Sequence, residues 1–223
     1  NAGTVNIDGG TLEAGGLTGE GSLILSDSGT HTLGNATNST GIALAGMLGV
    51  GQANLSLIDA DGVDLGSSTT LAGGTLTSST GFSLGANDEI TGHGRLFGDL
   101  ALGTNGTVAG SGTGLTLYGD VSGSGPISDT TIYGNIDVGN SVGQLTLTNV
   151  VLGSDNTIVT VEIGGADSSL YDTITFAGDT ALAGELDIGF INEFVPETGN
   201  VFDILVFESA NLISTFNNVN LPA

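Results

Sequence analysis

Two acidic side chains stand one residue apart in a strand-like part of the sequence. The stretch "FAGDTALAGELDIGF" (176–190) contains Glu185 and Asp187, and Asp179 precedes them. Glycoside hydrolases use a pair of carboxylates as acid and base or nucleophile. In a strand, residues two apart point to the same face, with Cα atoms roughly 6.5–7 Å apart. The pair is therefore a candidate for sugar chemistry.

The rest of the composition argues against catalysis by this pair. The chain has no Lys and no Trp, a single Arg and two His residues. Sugar-binding sites commonly use aromatic platforms, and polysaccharide lyases need a basic group beside the acid. We therefore interpret the two acids as the solvated side of a strand and expect a protein that is not an enzyme, with no catalytic residues and no cofactor. The opposite side of that strand is expected to face the core through Leu186, Ile188 and Phe190.

The best local candidate for a metal site is the segment "DADGVD" (59–64). Asp59, Asp61 and Asp64 could turn several oxygens toward one hard cation such as calcium. The segment matches only half of an EF-hand loop, because Thr70 occupies the position of the bidentate Glu. A plain turn between strands explains the same residues.

The charge of the chain limits its partners. There are 24 acidic residues and one basic residue, Arg95, for a formal net charge of −23. Nucleic acid and anionic membranes are not expected to bind, because both require cationic side chains. The acids can keep the surface soluble, or they can bind divalent cations collectively. The chain has no Cys, so it has no disulfides.

Short apolar–x–apolar phrases separated by Gly, Asn, Asp and Ser dominate the chain up to about residue 140. Alternation with a period of two predicts strands with one buried face. Together with 40 Gly residues, it indicates an all-β protein. The predicted strands are "SLIL" (22–25), "IAL" (42–44), "LSLI" (55–58), "FSL" (82–84), "LAL" (100–102), "LTL" (115–117), "TIY" (131–133) and "IDV" (136–138).

The same phrases recur along the chain, as in "GGTLEAGG" (9–16) and "GGTLTSST" (73–80). Loose repetition of this kind is typical of solenoids, in which each coil is covered by its neighbours. We therefore predict a parallel β-helix (β-solenoid), with about seven coils of ~20 residues and a length of about 35 Å for the first two thirds of the chain. Disordered low-complexity sequence would contain less Leu, Ile and Val.

The length of the predicted strands and the composition of the sequence change near residue 141. Predicted strands lengthen to "NTIVTVEIGG" (156–165), "YDTITFAG" (171–178), "GELDIGFI" (184–191) and "NVFDILVFE" (200–208), and Phe becomes more frequent. We therefore divide the chain into irregular Gly-rich coils over 1–140 and a more globular β cap over 141–223. The cap consists either of wide final coils or of a small antiparallel sheet that shields the end of the solenoid.

The second region contains a recognisable series of motifs. It runs from a "SVGQLTL" strand through an "EIGG" turn, a "YDTITFAGDTALAGEL" hairpin, a "GFINEFVPETG" loop and a "FDIL" strand to "FNNVNLP". This series, over roughly 134–223, resembles the C-terminal part of secreted bacterial β-solenoid proteins, namely autotransporter-like passengers and PEP-CTERM-type exported surface proteins. The resemblance implies an extracellular or cell-surface structural protein. Such proteins usually continue into a membrane barrel or a sorting helix, whereas this sequence ends at "VNLPA", and we expect a leader and any anchor to lie outside it.

From these observations we expect a non-enzymatic structural subunit, such as an adhesin, a biofilm matrix component or a filament subunit. It would associate with its own copies through exposed strand edges, and residues 1–14 could supply such a strand. The alternative is a carbohydrate-binding or polysaccharide-degrading β-helix protein whose partner is an extracellular polysaccharide.

Overall fold

The computed structural model describes residues 3–14, 18–34, 42–139 and 142–222. Within these ranges the protein is all-β, and one 3-10 turn at Ser168–Leu170 interrupts the strands. Up to the long strand β14 the strands are β1 (Thr4–Ile7), β2 (Glu13–Ala14), β3 (Thr18–Gly19), β4 (Ser22–Leu25), β5 (Thr30–Gly34), β6 (Ile42–Leu44), β7 (Met47–Val50), β8 (Asn54–Ile58), β9 (Val63–Leu65), β10 (Ser68–Ser78), β11 (Phe82–Leu84), β12 (Glu89–Phe97), β13 (Leu100–Leu102) and β14 (Thr107–Tyr118). The later strands are β15 (Val121–Gly123), β16 (Gly125–Ser128), β17 (Thr130–Ile132), β18 (Ile136–Val138), β19 (Gln144–Thr148), β20 (Val151–Leu152), β21 (Ile158–Ile163), β22 (Thr173–Ala181), β23 (Glu185–Phe190), β24 (Leu205–Ser214) and β25 (Asn218–Asn220).

The described strands form two parallel sheets between which the chain alternates. Sheet B has ten strands in the order β25-β23-β21-β18-β15-β13-β11-β9-β6-β3, so its order in space follows the order in sequence. The step between paired residues varies: Phe82 pairs with Leu100, 18 residues later, and Glu185 pairs with Asn218, 33 residues later. Parallel neighbours with such steps require a connection that leaves the sheet and returns to it.

Sheet A has fifteen strands because several long strands bend and belong to two ladders. The first part of β10 pairs with β7 and the last part pairs with β8. We call the ladder through β1, β4, β7 and the first parts of the long strands ladder A1. We call the ladder through β2, β5, β8 and the last parts of the long strands ladder A2. The long strands β14 and β22 are also shared between the two ladders. As a result a closed ring of parallel pairings runs through β14, β16, β19, β22, β20 and β17.

Glycine allows these long strands to bend. In β12, Gly92 and Gly94 have φ angles of +109° and +145°, and the register of the strand shifts between them. A Cβ at Gly92 would lie 2.0 Å from the carbonyl oxygen of Leu71 in the neighbouring strand. Only glycine accepts both that φ angle and that close approach of the backbone.

The core lies between the sheets and consists of aligned apolar side chains. In ladder A1 one inward position repeats across ten strands, and we call this set the central column. All of its members are apolar except Thr69. The central column is Val5, Leu23, Leu48, Thr69, Ile90, Val108, Ile127, Leu147, Phe176 and Phe207.

The strand predictions for the first region are confirmed. Five of the predicted segments, "SLIL", "IAL", "FSL", "LAL" and "IDV", coincide with β4, β6, β11, β13 and β18, and the all-β class is correct. Seven of the ten described strands of sheet B lie before residue 140. The described part of residues 1–14 forms two short strands, β1 and β2, which pair with β4 and β5 of the same chain, and addition of this segment to another copy stays a prediction.

One expectation about the second region is wrong, and one of the two arrangements expected for it is not observed. The "YDTITFAGDTALAGEL" segment does not form a hairpin: β22 pairs with β19 and β24 in sheet A, whereas β23 pairs with β21 and β25 in sheet B. Of the two arrangements expected for 141–223, wide coils or a small antiparallel sheet, the described strands do not form the antiparallel sheet. The ladder pairings of β19 to β25 are parallel, and β21 extends the ladder of β18 across residue 140. No helix in the described ranges is long and apolar enough to cross a membrane.

Candidate functional site

The acid pair Glu185 and Asp187 lies on β23, with both side chains half-exposed. Leu186 between them is buried, and Ile188 packs against the core. The carboxylate of Glu185 accepts hydrogen bonds from the side-chain amides of Asn218, at 3.1 Å, and Asn220 on the next strand. Glu185 therefore ties β23 to β25.

The three aspartates of the metal candidate are used separately. The buried carboxylate of Asp59 accepts the N–H groups of Ile42 and Asp61, the second at 3.0 Å. Asp61 is exposed, and Asp64 points outward from β9, where it accepts a hydrogen bond from the Ser83 hydroxyl. Across the described ranges no group of three or more His, Cys, Asp or Glu side chains is arranged to hold a metal ion. Asp59 thus has a backbone role that the sequence pattern did not indicate.

A buried histidine has a carboxylate partner that the sequence analysis missed. The ring of His31 lies in the core, and its Nδ1 accepts the N–H of Leu12 at 3.1 Å. Its Nε2 therefore carries the proton and donates to Asp27 at 2.8 Å. This hydrogen bond holds the pKa of the Asp27 carboxyl below its usual range. The spacing of four residues was visible in the sequence, but it indicates a contact only once a turn is known to lie between the two.

One repeated triplet builds both an aromatic surface and a polar ladder. The phrases "FGD" (97–99), "YGD" (118–120) and "YGN" (133–135) occupy equivalent places at the ends of β12, β14 and β17. A Cβ on the middle glycine of the third phrase, Gly134, would lie 1.8 Å from the carbonyl oxygen of Gly119. Glycine is therefore required where the triplets stack, and the repeated phrase is the signal that could have revealed this feature.

The aromatic residues of the triplets form a stack on the outer face of ladder A2. The Phe97 and Tyr118 rings lie 4.5 Å apart and nearly parallel, and the Tyr118 and Tyr133 rings lie 5.0 Å apart. Their side chains are 39%, 37% and 45% exposed. Arg95 and Thr116 pair with each other on the same strands as Phe97 and Tyr118. We call Phe97, Tyr118 and Tyr133 the aromatic stack.

The last residues of the triplets form a ladder at the next corner. The carboxylate of Asp99 accepts the N–H of Asp120 at 2.9 Å, and that of Asp120 accepts the N–H of Asn135 at 2.8 Å. The amide oxygen of Asn135 then accepts the N–H of Ile158 at 2.9 Å. These residues, with Asp61 and Asp137, line an open groove along sheet B. Asp99 and Asp120 contribute to the acidity of the groove because their carboxylates serve as hydrogen-bond acceptors at the corner.

A second corner ladder alternates acids with amides. Asn149 donates to the carboxylate of Asp129 at 3.0 Å and accepts the N–H of Asp179 at 2.9 Å. Asn211 donates to the carboxylate of Asp179 at 2.9 Å. An amide between two carboxylates supplies a donor and separates like charges. This arrangement explains how a chain with one basic residue can place so many acids at its corners.

Asp172 is a fully buried carboxyl that joins three segments. Its two oxygens accept the N–H groups of Gly143, at 2.6 Å, and Glu162, at 2.7 Å. Burial, with smaller contributions from the nearby charges of Glu162 and Asp137, raises its pKa to about 6 against the opposing effect of these two hydrogen bonds. Nothing in the sequence distinguished Asp172 from the other acids, because its burial depends on residues that lie 29 and 10 positions away.

Comparison of the chain with protein-family models, with curated proteins and with solved structures gave no match. The resemblance to secreted bacterial β-solenoid proteins therefore stays a prediction.

The roles of the three aspartates can be separated by Asp→Asn substitution. Asp59→Asn should lower the free energy of unfolding by about 1–3 kcal/mol, because an amide cannot accept two N–H groups with two oxygens. Asp61→Asn and Asp64→Asn serve as matched controls and should change it by less than about 0.5 kcal/mol. Denaturant unfolding with calcium and with chelator measures both effects. Equal losses for all three variants that appear only with calcium would instead establish a metal site.

The raised pKa of Asp172 predicts a specific pH dependence of stability. The native protein binds this proton at a higher pH than the unfolded chain does, so the contribution of Asp172 is complete below pH 4 and declines as the pH rises through about 6. The free energy of unfolding of Asp172→Asn should therefore fall less steeply between pH 4 and 6 than that of the unmodified protein. Repulsion among the other acids affects both proteins alike. Parallel curves would contradict the assignment.

Proposed function

We propose that the protein is a non-enzymatic extracellular structural subunit, built as a β-solenoid, that associates with its own copies. The supporting observation is the central column, in which one inward position continues through ten parallel strands from Val5 to Phe207. A stack with an unbroken column, closed at the corners by hydrogen-bonded acids, suits a stiff rod. The extracellular location rests on the resemblance of 134–223 to exported proteins.

The terminal strands of the stack support self-association. Among the described residues, β24 pairs only with β22 and β25 only with β23, so each has one free edge. A free strand edge binds another strand through its unpaired N–H and C=O groups. Large apolar side chains are exposed beside these edges, including Phe207, Leu212 and Val219.

Self-association should appear as particles whose size increases with protein concentration. Sedimentation velocity and negative-stain electron microscopy should show multimers or fibres, and more of them at higher salt, because salt screens the repulsion between chains with a net charge of −23. A strictly monomeric solute at every concentration and salt level would contradict the proposed function.

A second candidate function is binding of an extracellular polysaccharide. The observation that favours it is the aromatic stack, in which three exposed rings lie nearly parallel and Arg95 precedes Phe97 by two residues on the same strand. Aromatic rings and polar groups side by side suit the apolar and hydroxyl faces of sugars.

Polysaccharide binding can be tested with Tyr118→Ala. If the stack binds a glycan, this variant should lose at least tenfold in affinity for it in isothermal titration against a panel of neutral and acidic polysaccharides. Met47→Ala, an exposed side chain on ladder A1, is the control and should leave the affinity unchanged. Absence of binding by the unmodified protein to the whole panel would reject this candidate.

A further inference from the structure

The aromatic stack holds two tyrosines face to face. Tyr118 ends β14, and Tyr133 directly follows β17, at the place where Leu117 pairs with Ile132. The centroids of their rings lie 5.0 Å apart, and the ring planes make an angle of 4°. Both side chains are partly exposed, so oxidants in solution can reach them. The two residues are therefore accessible phenols in fixed contact.

The backbone around the two rings keeps them in this arrangement. The N–H of Tyr133 donates to the carbonyl oxygen of Leu117, the residue before Tyr118, at 2.9 Å. On the other side of β17, a Cβ at Gly153 would lie 2.6 Å from the ring of Tyr133. Glycine at this position leaves the space that the ring occupies.

Few other side chains compete for a one-electron oxidant. The chain has no Cys, no Trp, one Met and three Tyr. The third tyrosine, Tyr171, is buried, and its ring contacts the ring of Phe202 edge-on at 5.5 Å. Phenylalanine has no phenol O–H, so neither Phe202 nor Phe97 can form a phenoxyl radical. Oxidation is therefore directed to Tyr118 and Tyr133.

We propose that Tyr118 and Tyr133 form a site of oxidative cross-linking, at which a haem peroxidase and hydrogen peroxide join the two rings as dityrosine. Each phenol loses one electron and its O–H proton. Hydrogen peroxide takes up both electrons and both protons and yields two molecules of water. The two phenoxyl radicals then form one C–C bond between ring carbons ortho to the oxygens. The hydrogen on each of these carbons moves to the phenoxyl oxygen, which restores both phenols.

The stacked geometry favours a bond within one chain over bonds between chains. The C–C bond forms along orbitals perpendicular to the ring planes, and parallel stacked rings turn these orbitals toward each other. Two groups held in contact react much faster than two groups that must meet by diffusion. Copies with a net charge of −23 also repel each other. The inference is independent of self-association, because both rings belong to one copy.

The cross-link would supply a covalent tie in a chain that cannot form disulfides, because it has no Cys. It would join the end of β14 to the residue after β17. A covalent bond between two distant positions limits the freedom of the unfolded chain, as a disulfide does. The oxidised protein should therefore unfold at a higher denaturant concentration than the untreated protein.

The proposal can be tested with variants that keep the number of tyrosines constant. Phe97→Tyr combined with Tyr133→Phe leaves two adjacent tyrosines, because the rings of Phe97 and Tyr118 lie 4.5 Å apart and nearly parallel. Phe97→Tyr combined with Tyr118→Phe places a phenylalanine ring between the two exposed tyrosines. Dilute protein is treated with a haem peroxidase and hydrogen peroxide. Dityrosine fluorescence of the unmodified protein and of the first double variant should exceed that of the second at least tenfold.

Peptide mapping locates the bond in the oxidised protein. Asp120 and Asp129 lie between Tyr118 and Tyr133, so a protease that cleaves after acidic residues separates the two tyrosines unless a cross-link joins them. The joined peptides should lack two hydrogen atoms in mass spectrometry, and they should come from chains that remain single in denaturing electrophoresis.

Three results would overturn the proposal. These are equal fluorescence of the two double variants, cross-links found only between copies, and no dityrosine in the unmodified protein while free tyrosine couples in the same mixture. If a double variant does not fold by circular dichroism, the single variants Tyr118→Phe and Tyr133→Phe replace it. Each of them should lose the fluorescence, and retention of it would equally contradict the site.

Discussion

The structure depends on the requirement that every strand of a parallel ladder present the same side to the core. We call each successive strand position in the stack a level. In a parallel stack each inward position lies directly on the inward position of the previous level, and the central column follows this rule from Val5 to Phe207. The exact length of the chain between levels matters much less, because the loops lie outside the column. Steps of 18 and 33 residues are therefore both compatible with one continuous sheet B.

The corners impose a second requirement, because a chain that turns between sheets leaves backbone N–H groups without ladder partners. Side-chain carboxylates and amides satisfy many of them, as Asp99, Asp120 and Asn135 do along one corner and Asp59 does at another. This requirement accounts for part of the acidic excess, since a carboxylate accepts several hydrogen bonds and does not need a cationic partner when backbone donors surround it. Two of the acids in the groove of sheet B, Asp99 and Asp120, are therefore a consequence of how the corners are built.

Stacking also determines how deeply each inward side chain is buried. Between the first and last described strands, each inward residue of the central column is covered above and below by its column neighbours. At the last level Phe207 and Val219 keep the inward orientation but lose one neighbour, and they become half-exposed. Within the described residues, burial of a column side chain thus depends on having a stacked neighbour on both sides.

The strand class, the short strands of sheet B and the inward residues could be predicted from the sequence, because alternation with a period of two is a local property. "FSL" and "LAL" are strands as predicted, and Leu186 is buried as predicted. The partners of the polar residues could not be predicted in this way. Asp59 reaches Ile42, Asp172 reaches Gly143, and the three "aromatic–Gly–Asp/Asn" triplets meet, only because levels of different length come into register. Such contacts depend on long-range pairing, and one sequence does not specify which distant residues the stacking will bring together.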